Sequence, residues 1–477
     1  MYNSKNILEM EGRCYETVYF CGMPATKWLA NLYPGKDLEN LELIKAVLGT
    51  CTIGRLVLVS TIDVYDTKVP GQNEDAEAYS SEPYGFNRRS LEVWAQDWFP
   101  KVHVIRLPAL FGIGLKKNAL FDLLTQKQGF RPNPLDEFQW YFLDDLWEDI
   151  SYVIENDIPV INLFSEPIRM KEVLTEFFPT EGSPSLHAGA TYDIRTKYSV
   201  TTYIKSKRRI LKQMARFIRL WRSLEMARDR LVVSNLCWTD EARALAVLRR
   251  FGIGKLEVAV TACQGWNDPP ADILKRYSGF EVYSMQALFY GVDSNLFVDV
   301  EGFLEHWSLV ARVAARLGAK RLVFGSPKNR LVPNGMDPKE ATSVFVAAFR
   351  RVSDMLDGAA VCIEHNAPDY GCNFVTTVDQ AENIVDNIDR NNVMINLDTG
   401  NAEMTGCVVA PVPVGVGHIQ VSAPFLGPIL SETRLDLRGY HGAVSMECRG
   451  LTPEGFEASL ERFVNAVAAA LLAAPPP

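Results

Sequence analysis

No stretch of this 477-residue chain approaches the ~18 consecutive apolar residues of a membrane-spanning helix. The first residues, Met-Tyr-Asn-Ser-Lys-Asn, lack the charged-then-apolar pattern of a secretory signal. A cytoplasmic protein without membrane contact is therefore expected. Positive charge is also short: 49 Lys and Arg against 58 Asp and Glu leave a net charge of -9, which disfavours a reader of nucleic-acid backbones. Histidine is scarce, at six. None of the nine cysteines has CxxC spacing, and most sit in apolar surroundings such as Val361-Cys362-Ile363, so reduced core thiols are expected in place of a disulfide framework. What is present is globular. Hydrophobic residues at 47% and charged residues at 22% permit sizeable cores, and the length argues for two or three domains.

Two regimes of pattern follow one another. Over residues 1–202, Arg55 to Ser60 and Val102 to Leu107 read as short buried strands with a helix from Ser90 to Phe99 between them. This is the βαβ rhythm of a parallel sheet. Between 203 and 230, Ile210, Met214, Phe217 and Trp221 recur at helical spacing, with Lys207, Arg208, Lys212, Arg216, Arg219 and Arg222 around the remaining face. An amphipathic linking helix with a core-packed stripe and a solvated basic side is predicted.

From 231 to 477 eight apolar segments recur, most separated by helical patterns: Leu231 to Asn235, Leu256 to Thr261, Glu281 to Gln286, Arg321 to Gly325, Ala360 to Glu364, Val393 to Asp398, His418 to Ser422 and Val444 to Glu447. Eight strand-helix units in roughly 250 residues predict a (β/α)8 TIM barrel. Ala466 to Pro477 reads as a last helix stopped by three prolines.

Glu364, Asp398, His418 and Glu447 stand at or near the ends of consecutive predicted strands. The carboxyl ends of barrel strands converge on one face, where four such side chains can meet around one ion. Three carboxylates and one imidazole suit Mn²⁺ best, with Mg²⁺ or Co²⁺ as alternatives, over a structural zinc. A divalent ion there would chelate neighbouring oxygens of a sugar and stabilise an enediolate, while Glu364 and Glu447 remove and return a proton.

The segments Phe324-Gly-Ser-Pro-Lys-Asn-Arg330, Ile363-Glu-His-Asn-Ala-Pro-Asp-Tyr-Gly371, Leu397-Asp-Thr-Gly400, His418-Ile-Gln-Val-Ser422 and Gly439-Tyr-His-Gly-Ala-Val-Ser-Met-Glu447 resemble the sugar phosphate isomerase/epimerase superfamily, the xylose isomerase-like barrels. The resemblance implies a metal quartet of Glu364, Asp398, His418 and Glu447 and a small-molecule sugar or sugar phosphate as substrate. Asn401 and Gln420 stand where many relatives carry further histidines. By position beyond strand ends, Lys328, Asn329 and Arg330 are candidate anion holders, and Gln286, Glu257 and Trp266 candidate lining residues. A DNA-repair endonuclease shares this barrel in outline, but it needs several metals and a histidine-rich pocket, so nucleic acid is not the expected substrate.

In the first half, Ser60 and Thr61 end a strand, and Tyr84 with Arg88 form a Tyr-x-x-x-basic pair expected on a helix downstream. Tyr84 would act as a general acid or base if a cation lowered its pKa. Ser60-Thr-Ile-Asp-Val-Tyr65, Tyr84-Gly-Phe-Asn-Arg88 and Arg106-Leu-Pro-Ala-Leu-Phe-Gly112 resemble the extended short-chain dehydrogenase/reductases, the NAD-dependent epimerase/dehydratases. Arg88 replaces that family's lysine, and no GxxGxxG turn precedes the first helix, so the main contact for a pyrophosphate is lacking. The expectation is an α/β chain: an incomplete Rossmann-like domain that does not hold NAD tightly, then a metal-dependent sugar epimerase or isomerase barrel. The chain then begins after the family's first strand and turn, by truncation or degeneration. Two alternatives stand beside it, a bifunctional enzyme whose first half uses NAD on a nucleotide sugar, and a non-catalytic sugar-binding or scaffold protein. A homo-oligomer is compatible with each.

Overall fold

The structure, a computed structural model, describes residues 2–66, 69–179, 188–260, 269–407, 412–430 and 435–473. The chain forms two compact units, Met1–Arg219 and Leu220–Pro477.

In the first unit, β1 (Cys14–Phe20), β2 (Thr52–Thr61), β3 (Val102–Leu107) and β4 (Val160–Asn162) lie side by side in that order, all parallel. Alternation along β2 decides which core each residue joins. Leu56 and Leu58 pack with Leu41, Ile44, Val47 and Leu48 of helix α1 (Pro34–Gly49) and with Leu91 and Ala95 of helix α2 (Pro83–Trp98). Val57 turns the other way, toward Ile105, Ile150, Val153 and Ile161. A sheet covered on both faces favours apolar residues on both sides of a strand, which is why β2 and β3 read as mainly apolar, with His103 and Arg106 as buried exceptions. Helix α2 starts seven residues before the predicted Ser90, with Pro83 in its first turn, where proline's missing N–H costs nothing. Tyr84 and Arg88 are therefore one turn apart on the same helix.

The linking helix runs as α3 (Lys207–Ala227), and the division between the units falls within it. Ile210, Met214 and Phe217 are buried as the spacing predicts. Part of its polar side is paired inside the first unit: Lys207 contacts Glu172 at 3.0 Å and Arg209 contacts Asp145 at 3.0 Å.

The second unit is a closed barrel of eight parallel strands: β5 (Leu231–Ser234), β6 (Lys255–Ala259), β7 (Glu281–Gln286), β8 (Arg321–Phe324), β9 (Ala360–Glu364), β10 (Val393–Asp398), β11 (Val416–Val421) and β12 (Val444–Met446). Each pairs with the next, and β12 closes on β5 through Val444 opposite Leu231. The intervening helices are bounded by local chemistry. Asp240, Asp299, Asp337 and Thr377 cap their amino ends through side-chain oxygens, and Gly252 and Gly318 end helices in the left-handed region that favours glycine. Outside β8, Phe324 meets Phe289, Phe303, Trp307, Phe345 and Phe349 at ring separations of 5.1 to 6.5 Å.

The interior of the barrel is polar at one level. Glu257 on β6 accepts hydrogen bonds from Ser284 and Gln286 on β7, from His418 and Gln420 on β11 and from Ser445 on β12. Strands β6 and β11 are not neighbours, so these bonds cross the inside of the barrel.

Candidate active site

The carboxyl ends of β9, β10 and β12 each deliver a carboxylate: Glu364 and Asp398 close their strands, and Glu447 directly follows Met446. Asp398 also caps the short helix Thr399–Met404. Its Oδ1 accepts the Asn401 N–H at 2.6 Å and its Oδ2 the Ser422 hydroxyl at 2.7 Å. Gly400 makes this closeness possible. Its N–H donates to Ser422 Oγ at 3.0 Å, and a Cβ there would lie 2.5 Å from that oxygen and 2.7 Å from the Ala423 carbonyl oxygen. Gly400→Ala is accordingly expected to cost about 1–3 kcal/mol of stability, read from the denaturant midpoint.

Half-buried Glu364 accepts two amide hydrogen bonds on Oε1, from Asn366 Nδ2 at 2.9 Å and Asn401 Nδ2 at 2.8 Å. Burial, and next the charge of Asp398, push its carboxyl up to about 8, against the opposing pull of Arg330. Burial likewise holds Asp398 at about 6, in spite of the hydrogen bonds from Asn401 and Ser422. Glu447 is raised well above the ordinary carboxylate range by burial and by the charges of Asp398, Glu257 and Glu364. Among the described residues none of the three has a cationic side chain within ion-pair distance.

His418 is fully buried, level with Asn396 and two residue pairs before Asp398, which stands opposite Gln420. Its Nε2 contacts Glu257 Oε2 at 2.8 Å, and its Nδ1 has no hydrogen-bond partner. Burial opposes the charge of Glu257, but the hydrogen bond and charge of His418, with Gln420 and Ser284, outweigh it and bring that carboxyl below its ordinary value. Gln420 is held at both ends, donating to Glu257 and accepting from Asn396 at 2.5 Å. Among the described residues, no three of Glu364, Asp398, His418 and Glu447 bring one ligand atom each within 4.8 Å of one another. Holding an ion would require these side chains to draw in.

The remaining candidates separate. Gln286 donates to Glu257 Oε1 at 3.1 Å and to Ser234 Oγ at 2.7 Å, and its amide opposes the upward shift of Glu447. Lys328 is exposed. Asn329 is spent on the backbone of the loop after β7, donating to the Val292 and Ser294 carbonyls, both at 2.8 Å. Arg330 is buried and bonded to Asn366 Oδ1. These three do not make one cationic patch. Trp266 lies outside the described residues, as do Thr261, His187 and the terminal prolines. Asn366 was not anticipated, although alternation along Glu364-His-Asn366 places it on the same side as Glu364.

In the first unit, Ser60 Oγ donates to Glu92 at 2.5 Å, and Thr61 Oγ1 contacts Asp63 at 3.1 Å. The Arg88 guanidinium bonds Asp37 and the Pro24 carbonyl, and its carbon lies 3.9 Å from the Tyr84 ring centroid. Burial nonetheless outweighs that cation and holds the Tyr84 hydroxyl above its ordinary value. This is the opposite of the lowering that proton transfer near neutrality requires.

A family model described as xylose isomerase-like TIM barrel matches residues 267–419. No curated protein matches the chain in sequence. Solved structures similar to it include D-psicose 3-epimerase with D-tagatose from Clostridium cellulolyticum H10, at 14% identity over 51% of this chain and 98% of that one, TM-score 0.38. Others are 3-keto-D-glucoside 4-epimerase from E. coli, at 16% over 48% and 97%, TM-score 0.36, and a family 2 AP endonuclease from Brucella melitensis, at 17% over 47% and 96%, TM-score 0.39. With the closed barrel, the family match makes the C-terminal region of this chain a xylose isomerase-like TIM barrel domain.

Proposed function

We propose that the barrel epimerises or isomerises a sugar or sugar derivative with the help of a divalent cation. The observation that carries this reading is the set of carboxylates Glu364, Asp398 and Glu447 on three strand ends, Asp398 and Glu447 buried and Glu364 half-buried, all without a cationic partner among the described residues. Uncompensated negative charge at such depth is costly, and an all-oxygen carboxylate set fits a hard divalent ion such as Mn²⁺ or Mg²⁺. Glu364, Asp398 and Glu447 would hold it, and Nδ1 is the ring atom His418 has left as a fourth ligand. When bound, the ion supplies Lewis-acid polarisation of adjacent sugar hydroxyl and carbonyl oxygens, which acidifies the intervening C–H and favours an enediolate.

The protein's own part is proton handling and positioning. Glu364 and Glu447 come from opposite sides of β10 and β11 in the barrel order, so they suit removal and return of a proton. Return to the opposite face of the same carbon gives an epimer, and return to the neighbouring carbon an aldose-ketose pair. Asn401 ties two of the acids together, donating its side-chain amide to Glu364 and its backbone N–H to Asp398.

Elemental analysis after dialysis against trace Mn²⁺ tests the reading. About one equivalent of metal per chain is expected, lost in Glu364→Gln/Asp398→Asn, together with exchange of a ketose C–H in D₂O that depends on the same residues. No metal in the parent protein would move the assignment to a non-catalytic role.

A further inference from the structure

Arg330 ends the turn Pro327–Arg330 that follows β8, and its side chain is wholly inside the protein. No carboxylate among the described residues lies within ion-pair distance of it. Its Nη2 donates to Asn366 Oδ1 at 2.6 Å, while Nε and Nη1 have no hydrogen-bond partner. A guanidinium buried against one amide oxygen, the Cys372 sulfur and the Phe324 ring, with no carboxylate partner, is costly to keep, and what it does to the amide points to a use.

A guanidinium can only donate, so the Asn366 carbonyl oxygen must face Arg330 and the amide NH₂ must face the other way. There it meets Glu364 Oε1 at 2.9 Å. Asn401 is fixed by the same logic: its Oδ1 accepts the Ala367 backbone N–H at 3.0 Å, so its NH₂ also faces Glu364 Oε1, at 2.8 Å. Both donors converge on one oxygen. The other, Oε2, lies over Gly325, where a Cβ would come within 2.7 Å of it.

We infer that Arg330 is a positioning residue for Glu364: by fixing the orientation of Asn366 it commits Oε1 to the protein and leaves Oε2 as the oxygen presented to ion and substrate. The inference rests on the reading of Glu364 as a metal-holding, proton-transferring carboxylate. It removes Arg330 from the groups that touch substrate, and assigns its charge to holding a carboxylate from behind. Outer partners of this kind typically carry about 10- to 100-fold of metal affinity.

The test is Mn²⁺ binding by calorimetry, with the electron paramagnetic resonance spectrum of the bound ion, on the full chain and on Glu364→Gln, Arg330→Met, Asn366→Ala and the Arg330→Met/Asn366→Ala pair. Arg330→Met and Asn366→Ala are each expected to weaken Mn²⁺ binding about tenfold or more and to alter the spectrum in the same way. The pair should be no worse than either alone, because both cut one link. Parent-like affinity and spectrum in Asn366→Ala, or losses that multiply in the pair, would overturn the inference. Should Arg330→Met not fold, parent-like affinity and spectrum in Asn366→Ala would still overturn the inference, since that variant breaks the link and leaves the guanidinium in place. A parent that binds no Mn²⁺, or a Glu364→Gln protein that binds it as tightly as the parent, brings down the functional reading itself and the inference with it.

Discussion

Glu447→Gln is expected to give a protein that no longer turns over sugar and yet, without metal, is more stable than its parent. Both effects come from one charge. Glu447 is buried beside Asp398, Glu257 and Glu364, and its proton is held well above the ordinary carboxylate range. An acid whose pKa is raised by folding contributes its full stability below its unfolded pKa and loses it as pH rises through the folded value. With Asp398 at about 6 and Glu364 at about 8, the metal-free parent should weaken steadily from the ordinary carboxylate range to about pH 8. An amide carries no charge, so Glu447→Gln should be more stable than the parent at neutral pH and show a flatter pH profile. Thermal unfolding of metal-free parent and variant at several pH values measures this. Added Mn²⁺ should stabilise the parent more than the variant. Full activity in the variant, or a melting temperature below the parent's at pH 7.5, would remove Glu447 from the assigned role.

The largest purely structural effect is expected in the first unit. Asp37 on α1 and Arg88 on α2 are both about 4% exposed, and Asp37 also accepts from Asn87 at 2.8 Å. Asp37→Ala would leave the guanidinium buried with only the Pro24 and Tyr84 carbonyls. A loss of about 3–5 kcal/mol is predicted, because breaking one side of a buried pair strands the other charge. Removing both charges is a different matter. Asp37→Leu/Arg88→Met should recover most of the loss, since apolar replacement of a whole buried pair is often neutral. Urea unfolding of the three proteins checks both statements, and a cost below about 1 kcal/mol for Asp37→Ala would show that Arg88 finds another partner.

This pair also explains what a sequence pattern could and could not show in that unit. Tyr84 and Arg88 are correctly placed on one helix by their spacing, but only the tertiary structure shows that the arginine is held by Asp37, 51 residues away. The barrel was more legible. Its strands are buried on both faces, so each reads as a mainly apolar run with few polar breaks, and all eight predicted segments coincide with observed strands to within a few residues. The positions of Glu364, Asp398 and Glu447 at strand ends followed from the same runs. The depth of His418 did not. Which residues share a level inside a barrel depends on the stagger between neighbouring strands, and the irregular pairing between Ile395 and Asn396 sets His418 against Asn396. Local spacing carries no information about such a shift.

The Glu257 network has a consequence for how this barrel can change. A hydrophobic interior tolerates piecemeal exchange of one aliphatic residue for another of similar volume. Here one carboxylate ties four staves together, and Ser284, Gln286, His418, Gln420 and Ser445 all face it. Removing any single member strands a polar atom that water cannot reach, and removing Glu257 strands several at once. The interior is thus a keystone, open to replacement only in concerted sets.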